Sequence, residues 1–398
     1  MNILVFNCGS SSQAFKVYRS EPRRPEAVLI AGKAKNVATP TQARPYIRWE
    51  INGKPFEKEC PLDSHKAAAE QILAILRENG IRPDAVGHRF VHGGRLLQKN
   101  VRIDAETRAL LLRCLPLAPI HNPNSFSVIE VCEEQLPDIP QFAVFDTAFH
   151  AGMPEAAKRY ALPTELVEKF GFQKYGFHGL SCQFVTKQAA RLMGKPAEAL
   201  RLIICHLGTG GSSVTAVRNG ETLDTSMGYS PLAGLVMSTR CGDLDPGIPL
   251  DLVRAGIPLE RIDEILNRES GLLGLSGFSS SLPEIITAAG EGNPACRIAY
   301  DVYVHRLRKY IGAFYWLLAG ADAILFTDDV GERCWQVRER VFESADFLGI
   351  FLDHERNRTA AGDSAACISR PDSKVQLWAI PTDEEQVIFH EVLSLLKS

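Results

Sequence analysis

The sequence predicts an α/β protein of two duplicated lobes, each opening on a strand, a Gly/Ser turn and a second strand, with a cleft between them. Three observations predict it. Residues 1–18, MNILVFNCGSSSQAFKVY, run from an apolar strand through a Gly/Ser turn into a second strand. The pattern returns in residues 202–217, LIICHLGTGGSSVTAV. At 398 residues the chain is also too long for one ordinary core and suits two. The duplication sets a boundary near residue 148, with an expected first lobe of 1–148 plus 385–398 and a second of 149–384.

Composition narrows the class. Hydrophobic residues at 45% and charged residues at 23% describe a soluble globular chain. A net charge of −3 gives no support to nucleic-acid binding. Met1 leads straight into a strand without a basic leader, and no apolar run reaches the roughly 18 residues of a membrane span, so the expected compartment is the cytoplasm. Ten cysteines are scattered without metal-ligand spacing and read as reduced and mostly buried. Cys8, Cys205 and Cys241 fall in glycine-rich stretches and read as small apolar fillers, since no base adjoins them.

Taken in order, residues 20–60 read as strand-like pieces with turns around Pro40 and Pro45. Ser64 caps a helix to Asn79 that buries Ile72, Leu73, Ile75 and Leu76 and stops at Gly80. AVGHRFVHGG (85–94) is a short strand carrying Arg89, too costly to bury without an anionic partner. A helix over 105–113 precedes LPLAPIHNPNS, where His121 and Asn122 sit in a rigid turn between Pro119 and Pro123. QFAVFDTAFH (141–150) is a strand delivering Asp146, a position suited to a metal ligand or base. YGFHGL (175–180) presents His178 between glycines. After the second hairpin, Thr239-Arg240-Cys241-Gly242-Asp243 places a guanidinium and a carboxylate in one loop; phosphoryl transfer needs a cation for the oxygens and an acid for the metal. Residues 247–266 read as helical and GLLGLSGFSSS (271–281) as a loop. A long amphipathic helix covers 295–318, a strand 323–327, a nucleotide-binding turn DDVGER (328–333), and a further helix 334–347. Strand VQLWAI (375–380) leads to a last helix capped at Asp383 or Glu384.

NCGSSS, GHRFVHGG, LAPIHNP, VFDTAFH, YGFHG, CHLGTG, DTSMGYSPLAGL, TRCGDLDP, SGLLGLSG and IPTDEE resemble, in order and spacing and nearly end to end, the acetate kinase family, within the group built like sugar kinases, actin and Hsp70 nucleotide-binding domains. The resemblance implies two actin-like (ribonuclease H-like) lobes with mixed five-stranded sheets flanked by helices. It implies Mg²⁺-dependent transfer (Mn²⁺ as the alternative ion) of a phosphoryl group between ATP and acetate, giving acetyl phosphate and ADP, in a homodimer. Propionate stays open as a substrate, because one methylene shifts selectivity only by about 1–3 kcal/mol.

Residue by residue, the resemblance makes Arg89 and Arg240 the clamp on the acyl phosphate, with His178 donating to the phosphoryl group and His121 helping to fix it. Asp146 orients the attacking carboxylate; Asn7 touches the transferring group, and Asn7, Asp146 and Glu384 place the metal. Val91, Ile120, Phe177 and Pro231 form the methyl pocket. The nucleotide falls to Ser10, Ser12, His206, Leu207, Gly208, Thr209, Gly210, Ser281, Leu282, Pro283, Asp329, Val330, Gly331, Glu332 and Arg333.

The nucleotide side departs from the family. Ala14 stands where the family has Lys, with Lys16 further along the same strand face; Thr209 replaces Asn; Ser281-Leu282-Pro283 lacks an Arg. Asp328 and Asp329 replace two small residues, bringing negative charge toward a polyphosphate. Three readings therefore stand: an ATP-dependent acetate kinase, a similar enzyme using phosphate and pyrophosphate, and a non-catalytic acyl-phosphate or nucleotide sensor.

Overall fold

The computed structural model of the chain describes residues 1–21, 24–39 and 44–397; the turn expected around Pro40 lies outside them. It consists of two compact units, Met1–Ala148 with Asp383–Ser398, and Phe149–Thr382. The return crossing falls at Thr382, so Asp383 and Glu384 pack with the first unit.

The first unit is built on an eight-stranded sheet. Its strands are β1 (Asn2–Cys8), β2 (Ser12–Arg19), β3 (Ala27–Lys35), β4 (Tyr46–Ile51), β5 (Lys54–Glu59), β6 (Ala85–Phe90), β7 (Val101–Arg102) and β8 (Gln141–Phe145), in the order β5-β4-β3-β2-β1-β6-β8-β7. β1 to β5 form an antiparallel meander, and β1, β6 and β8 run parallel. The parallel strands are buried on both faces, which explains the uninterrupted apolar runs ILVF and FAVF. Ser64 accepts from the Ala67 amide to start the helix His65–Glu78, and the buried residues include the four expected leucines and isoleucines. On β6, a Cβ at Gly87 would collide with Ile388 and Val392, so the glycine lets the C-terminal helix Glu384–Leu395 press onto the strand.

The second unit repeats the scheme with β9 (Arg201–Leu207), β10 (Ser212–Arg218), β11 (Glu221–Thr225), β12 (Ala323–Thr327), β13 (Ala366–Cys367) and β14 (Gln376–Ala379), ordered β11-β10-β9-β12-β14-β13. Again three antiparallel strands adjoin a parallel run, β9-β12-β14. The helix Pro294–Leu317 covers one core and the helix Gly179–Met193 packs into another. Each sheet thus holds the expected five-strand arrangement, extended in the first unit by β4, β5 and β7 and in the second by β13.

Local expectations changed where tertiary contacts outweighed local signals. Asn122 begins the helix Asn122–Gln135 instead of sitting in an exposed turn. The strand expected over 141–150 ends at Phe145. Residues 271–276 of the expected Gly/Ser loop form a helix, and 328–333 form a short helix instead of a turn. The helix expected over 247–266 breaks after Arg254, where Gly256 takes a left-handed φ of 86°. The 334–347 helix stops at Val341. Among the described residues no helix is long and apolar enough to cross a membrane.

Candidate active site

In the first unit, four expected residues meet at the C-terminal ends of the parallel strands. Arg89, on β6, donates from Nε to both Asp146 oxygens at 3.1 Å and from Nη2 to Oδ2 at 2.6 Å. Its Nη1 donates to Asn7 Oδ1 at 3.1 Å and lies 3.9 Å from Glu384 Oε2. Asn7 Nδ2 donates in turn to Glu384 at 3.0 Å and Glu385 at 2.8 Å. Burial alone would lower the Arg89 pKa, but Asp146 and then Glu384 more than offset it, leaving the guanidinium more firmly protonated than usual. Lys16 does not stand in at the position of Ala14: its ammonium bonds Asp383 at 2.8 Å and Glu385 at 3.3 Å.

These donors fit a hard divalent cation that brings its own phosphate and water ligands. Carboxylate and amide oxygens are the right class, and such an ion commonly takes only one or two protein carboxylates. Among the described residues no group of three acids, histidines or cysteines forms a dedicated cage. Of the two carboxylates, Glu384 is the more accessible, at 14% against 1% for Asp146. Both Asp146 oxygens accept from Arg89.

Val91 is buried, Ile120 is half exposed, and His121 opens the helix Asn122–Gln135 as its N-cap. Asn122 is wholly buried and staples the backbone, donating to the carbonyls of His92 at 3.0 Å and Cys114 at 2.7 Å. Ser10 is exposed at the first turn and Ser12 begins β2. Phe177, buried, and Pro231, half-buried, belong to the second unit, so each unit holds two residues of the expected methyl pocket.

The second unit builds an anion seat. A Cβ placed on Gly211 would lie 3.3 Å from Arg240 Nη1 and 3.4 Å from His178 Nε2, so both groups converge on the glycine turn. His178 Nδ1 pairs with Ser213 Oγ at 2.9 Å, and the ring stacks on His206 with centroids 4.0 Å apart. His178 is held at a left-handed φ of 61° just before the helix Gly179–Met193, a strained position for a non-glycine residue. Arg240 is half-buried, burial lowers its pKa, and among the described residues no carboxylate stands within ion-pair range. Such a guanidinium is arranged to receive an anion.

The loop carrying Arg240 is held by residues that sequence reasoning passed over. Gly271 adopts φ 61° and a Cβ there would run into the Met237 and Arg240 carbonyls. The Leu272 amide donates to Met237 O at 2.9 Å and the Ser270 amide to Thr239 O at 3.0 Å. Asp243, read from its loop as an acid for the metal, instead accepts from the Gly234 amide at 2.8 Å and the Tyr310 hydroxyl at 2.7 Å. The only local signal was the SGLLG segment itself.

A small cavity of about 90 Å³ in the second unit gathers Gly208, Thr209, Ser281, Leu282, Pro283 and Val330, with Tyr303 and Ser238 as lining not foreseen. Gly331 and Glu332 work structurally. The fully buried Arg338 donates to both their carbonyls, and burial pushes its pKa down to about 10. The Glu332 carboxylate accepts from the amides of Asp328 at 2.9 Å and Thr382 at 3.1 Å. None of the ten cysteines forms a disulfide, and burial raises the thiol pKa at Cys8, Cys205 and Cys241, which disfavours their thiolates.

Residues 2–390 match the model of the acetokinase family. The chain is 43% identical to an acetate kinase of Dictyoglomus turgidum over 100% of its own length and 98% of that protein. It is 42% identical to an acetate kinase of Bacillus mycoides, over 99% and 98%. Among solved structures it resembles an acetate kinase of Entamoeba histolytica, with a TM-score of 0.90, 41% identity and full coverage of both chains. It also resembles a propionate kinase of Francisella tularensis, with a TM-score of 0.88, 35% identity and 98% coverage of each. These comparisons give no support to the phosphate/pyrophosphate reading.

Proposed function

The chain belongs to the acetokinase family, and from that premise we propose that it transfers a phosphoryl group reversibly between ATP and acetate, giving acetyl phosphate and ADP by in-line displacement. The Arg240–His178 seat over Gly211, a cation and an imidazole converging with no carboxylate to neutralise the arginine, carries the reading. In this proposal the first unit serves the acyl group and the second the nucleotide.

Acetate is already a competent nucleophile, so no strong base is required. The obstacle is repulsion between two anions brought to about 3 Å. Arg240 lies ready to bind the equatorial oxygens of the transferring group, and His178 Nε2 to hydrogen-bond one of them. Arg89, immobilised by Asp146 and Asn7, holds the carboxylate without having to reorganise. Family members need a divalent metal; we take it as Mg²⁺, held by Glu384 with Asn7 and Asp146 nearby, where it supplies charge neutralisation on the phosphates. The likeness to a propionate kinase adds propionate to this proposal as a second substrate. Ten cysteines without a disulfide fit a reducing compartment, taken as the cytoplasm. Ile248, Leu250, Val253 and Leu259, exposed in the second unit, support a homodimer.

The test follows acetyl phosphate consumption with ADP, with inorganic phosphate and with neither. Turnover with ADP and Mg²⁺ is expected. Turnover with phosphate alone, or with no acceptor, would remove ADP from the proposal.

A further inference from the structure

Glycine-rich turns bind phosphates because bare Cα faces and unpaired amides admit an anion. In this chain two of its own carboxylates already take those places. Thr209, in the middle of the Gly208–Gly211 turn, donates its amide to Asp329 Oδ1 at 2.8 Å and its hydroxyl to Asp329 Oδ2. Asp329 Oδ1 also accepts from the Val330 amide at 2.8 Å. Asp328 Oδ2 rests on the open face of Gly208, where a Cβ would collide with it, and lies 3.1 Å from His206 Nε2. To reach this pose Asp328 adopts φ 65°, a left-handed conformation costly for any residue with a Cβ. The Ser238 hydroxyl fastens the same turn from the other side by donating to Thr209 O.

The cavity lined by this turn holds only about 90 Å³. Ligand sites for small molecules commonly enclose roughly 300–1,000 Å³. The cavity beside this turn is thus smaller than a nucleoside's usual site.

We propose that Asp328 and Asp329 are specificity-determining residues of the nucleotide site: their carboxylates occupy the anion positions of the Gly208–Gly211 turn, and the nucleotide phosphates must displace them to bind. The inference rests on the nucleotide reading of that turn. Displacement sets two negative side chains beside a polyphosphate, so these acids weaken phosphate binding more than nucleoside binding. Asp329→Asn keeps the shape and removes the charge. Asp328→Gly with Asp329→Gly frees the Gly208 face and relieves the left-handed strain while removing the Thr209 and Val330 contacts, so a melting curve accompanies it.

The experiment measures Kd for ADP and for adenosine by calorimetry on the wild type and both variants, with KM for ADP and for acetyl phosphate alongside. Expected are an ADP Kd several-fold tighter in Asp329→Asn and at least tenfold tighter in the double variant. Adenosine should move less than ADP in Asp329→Asn, and KM should fall for ADP but not for acetyl phosphate. A wild type that turns over ADP, with ADP binding unchanged or weaker in both variants, overturns the proposal and leaves the function standing. A wild type and variants that neither bind nor turn over ADP overturn the nucleotide reading and the proposal with it.

Discussion

Arg89 and Arg240 are the same side chain in opposite circumstances. Arg89 is surrounded by Asp146, Asn7 and Glu384, and its charge is answered within the first unit. Arg240 is half-buried, and its guanidinium donates to a thioether, Met237 Sδ, at 3.8 Å. The charge of Arg89 has protein partners in its own unit, while among the described residues Arg240 has no carboxylate within ion-pair range. In the proposed function one arginine therefore contributes to stability as well as to chemistry, and the other to chemistry alone.

The contrast is broken most directly by removing each arginine in turn. Arg240→Ala should reduce kcat/KM by roughly 10³-fold or more while the melting temperature hardly moves, because no protein anion loses its partner. A large drop in melting temperature would show that Arg240 has a structural role after all. Arg89→Ala should abolish turnover to a similar degree and also cost about 3–5 kcal/mol, since Asp146 is left buried and uncompensated. Urea unfolding measures the second effect. Adding Asp146→Ala should restore much of the stability and none of the activity, and a double variant no more stable than the single one would sink the pairing argument.

A pH series tests both units together. His88 in the first and His150 in the second are buried and kept neutral, their pKa lowered from 6.5 to about 4 chiefly by burial. The unfolded chain takes up these protons first as pH falls through 6.5, so this stability is complete above that pH and drains away toward pH 4. The loss is at most roughly 3 kcal/mol per histidine. His88→Gln and His150→Gln should each flatten the decline in urea midpoint between pH 7 and pH 4.5; an unchanged slope would count against the burial argument.

The smallest effect expected is at Gly271, the support of the Arg240 loop. Gly271→Ala forces a Cβ into a left-handed backbone against two carbonyls and should cost at least about 1–3 kcal/mol. Turnover should fall through kcat more than through KM for acetate, because Arg240 is displaced while Arg89 is untouched. A variant with normal kcat would separate the loop from catalysis.

Much of this was legible in the chain. Arg89 and Asp146 were singled out from their strands, Asn7 and Glu384 by the family resemblance, and the four meet in one hydrogen-bonded cluster. The Ser64 cap and the apolar stripe of its helix were readable because both depend on neighbours three or four residues away. Other features were hidden. Asn122 reads as a presented amide beside two prolines, yet its partners His92 and Cys114 are 30 and 8 residues distant. Arg338 was not singled out in the sequence, yet it is fully buried around the Gly331 and Glu332 carbonyls.

Sequence alone determined the duplicated hairpins, the residue types at the strand ends and the acids at 328–329, since these follow from order, spacing and side-chain chemistry. Only the tertiary structure decided which charges are already answered. Asp329 finds Thr209 across 120 residues and Gly271 braces the Arg240 loop, while among the described residues no carboxylate pairs with Arg240 itself. Whether a charge is paired depends on what the fold brings within a few ångströms, and that distance is not written in the chain.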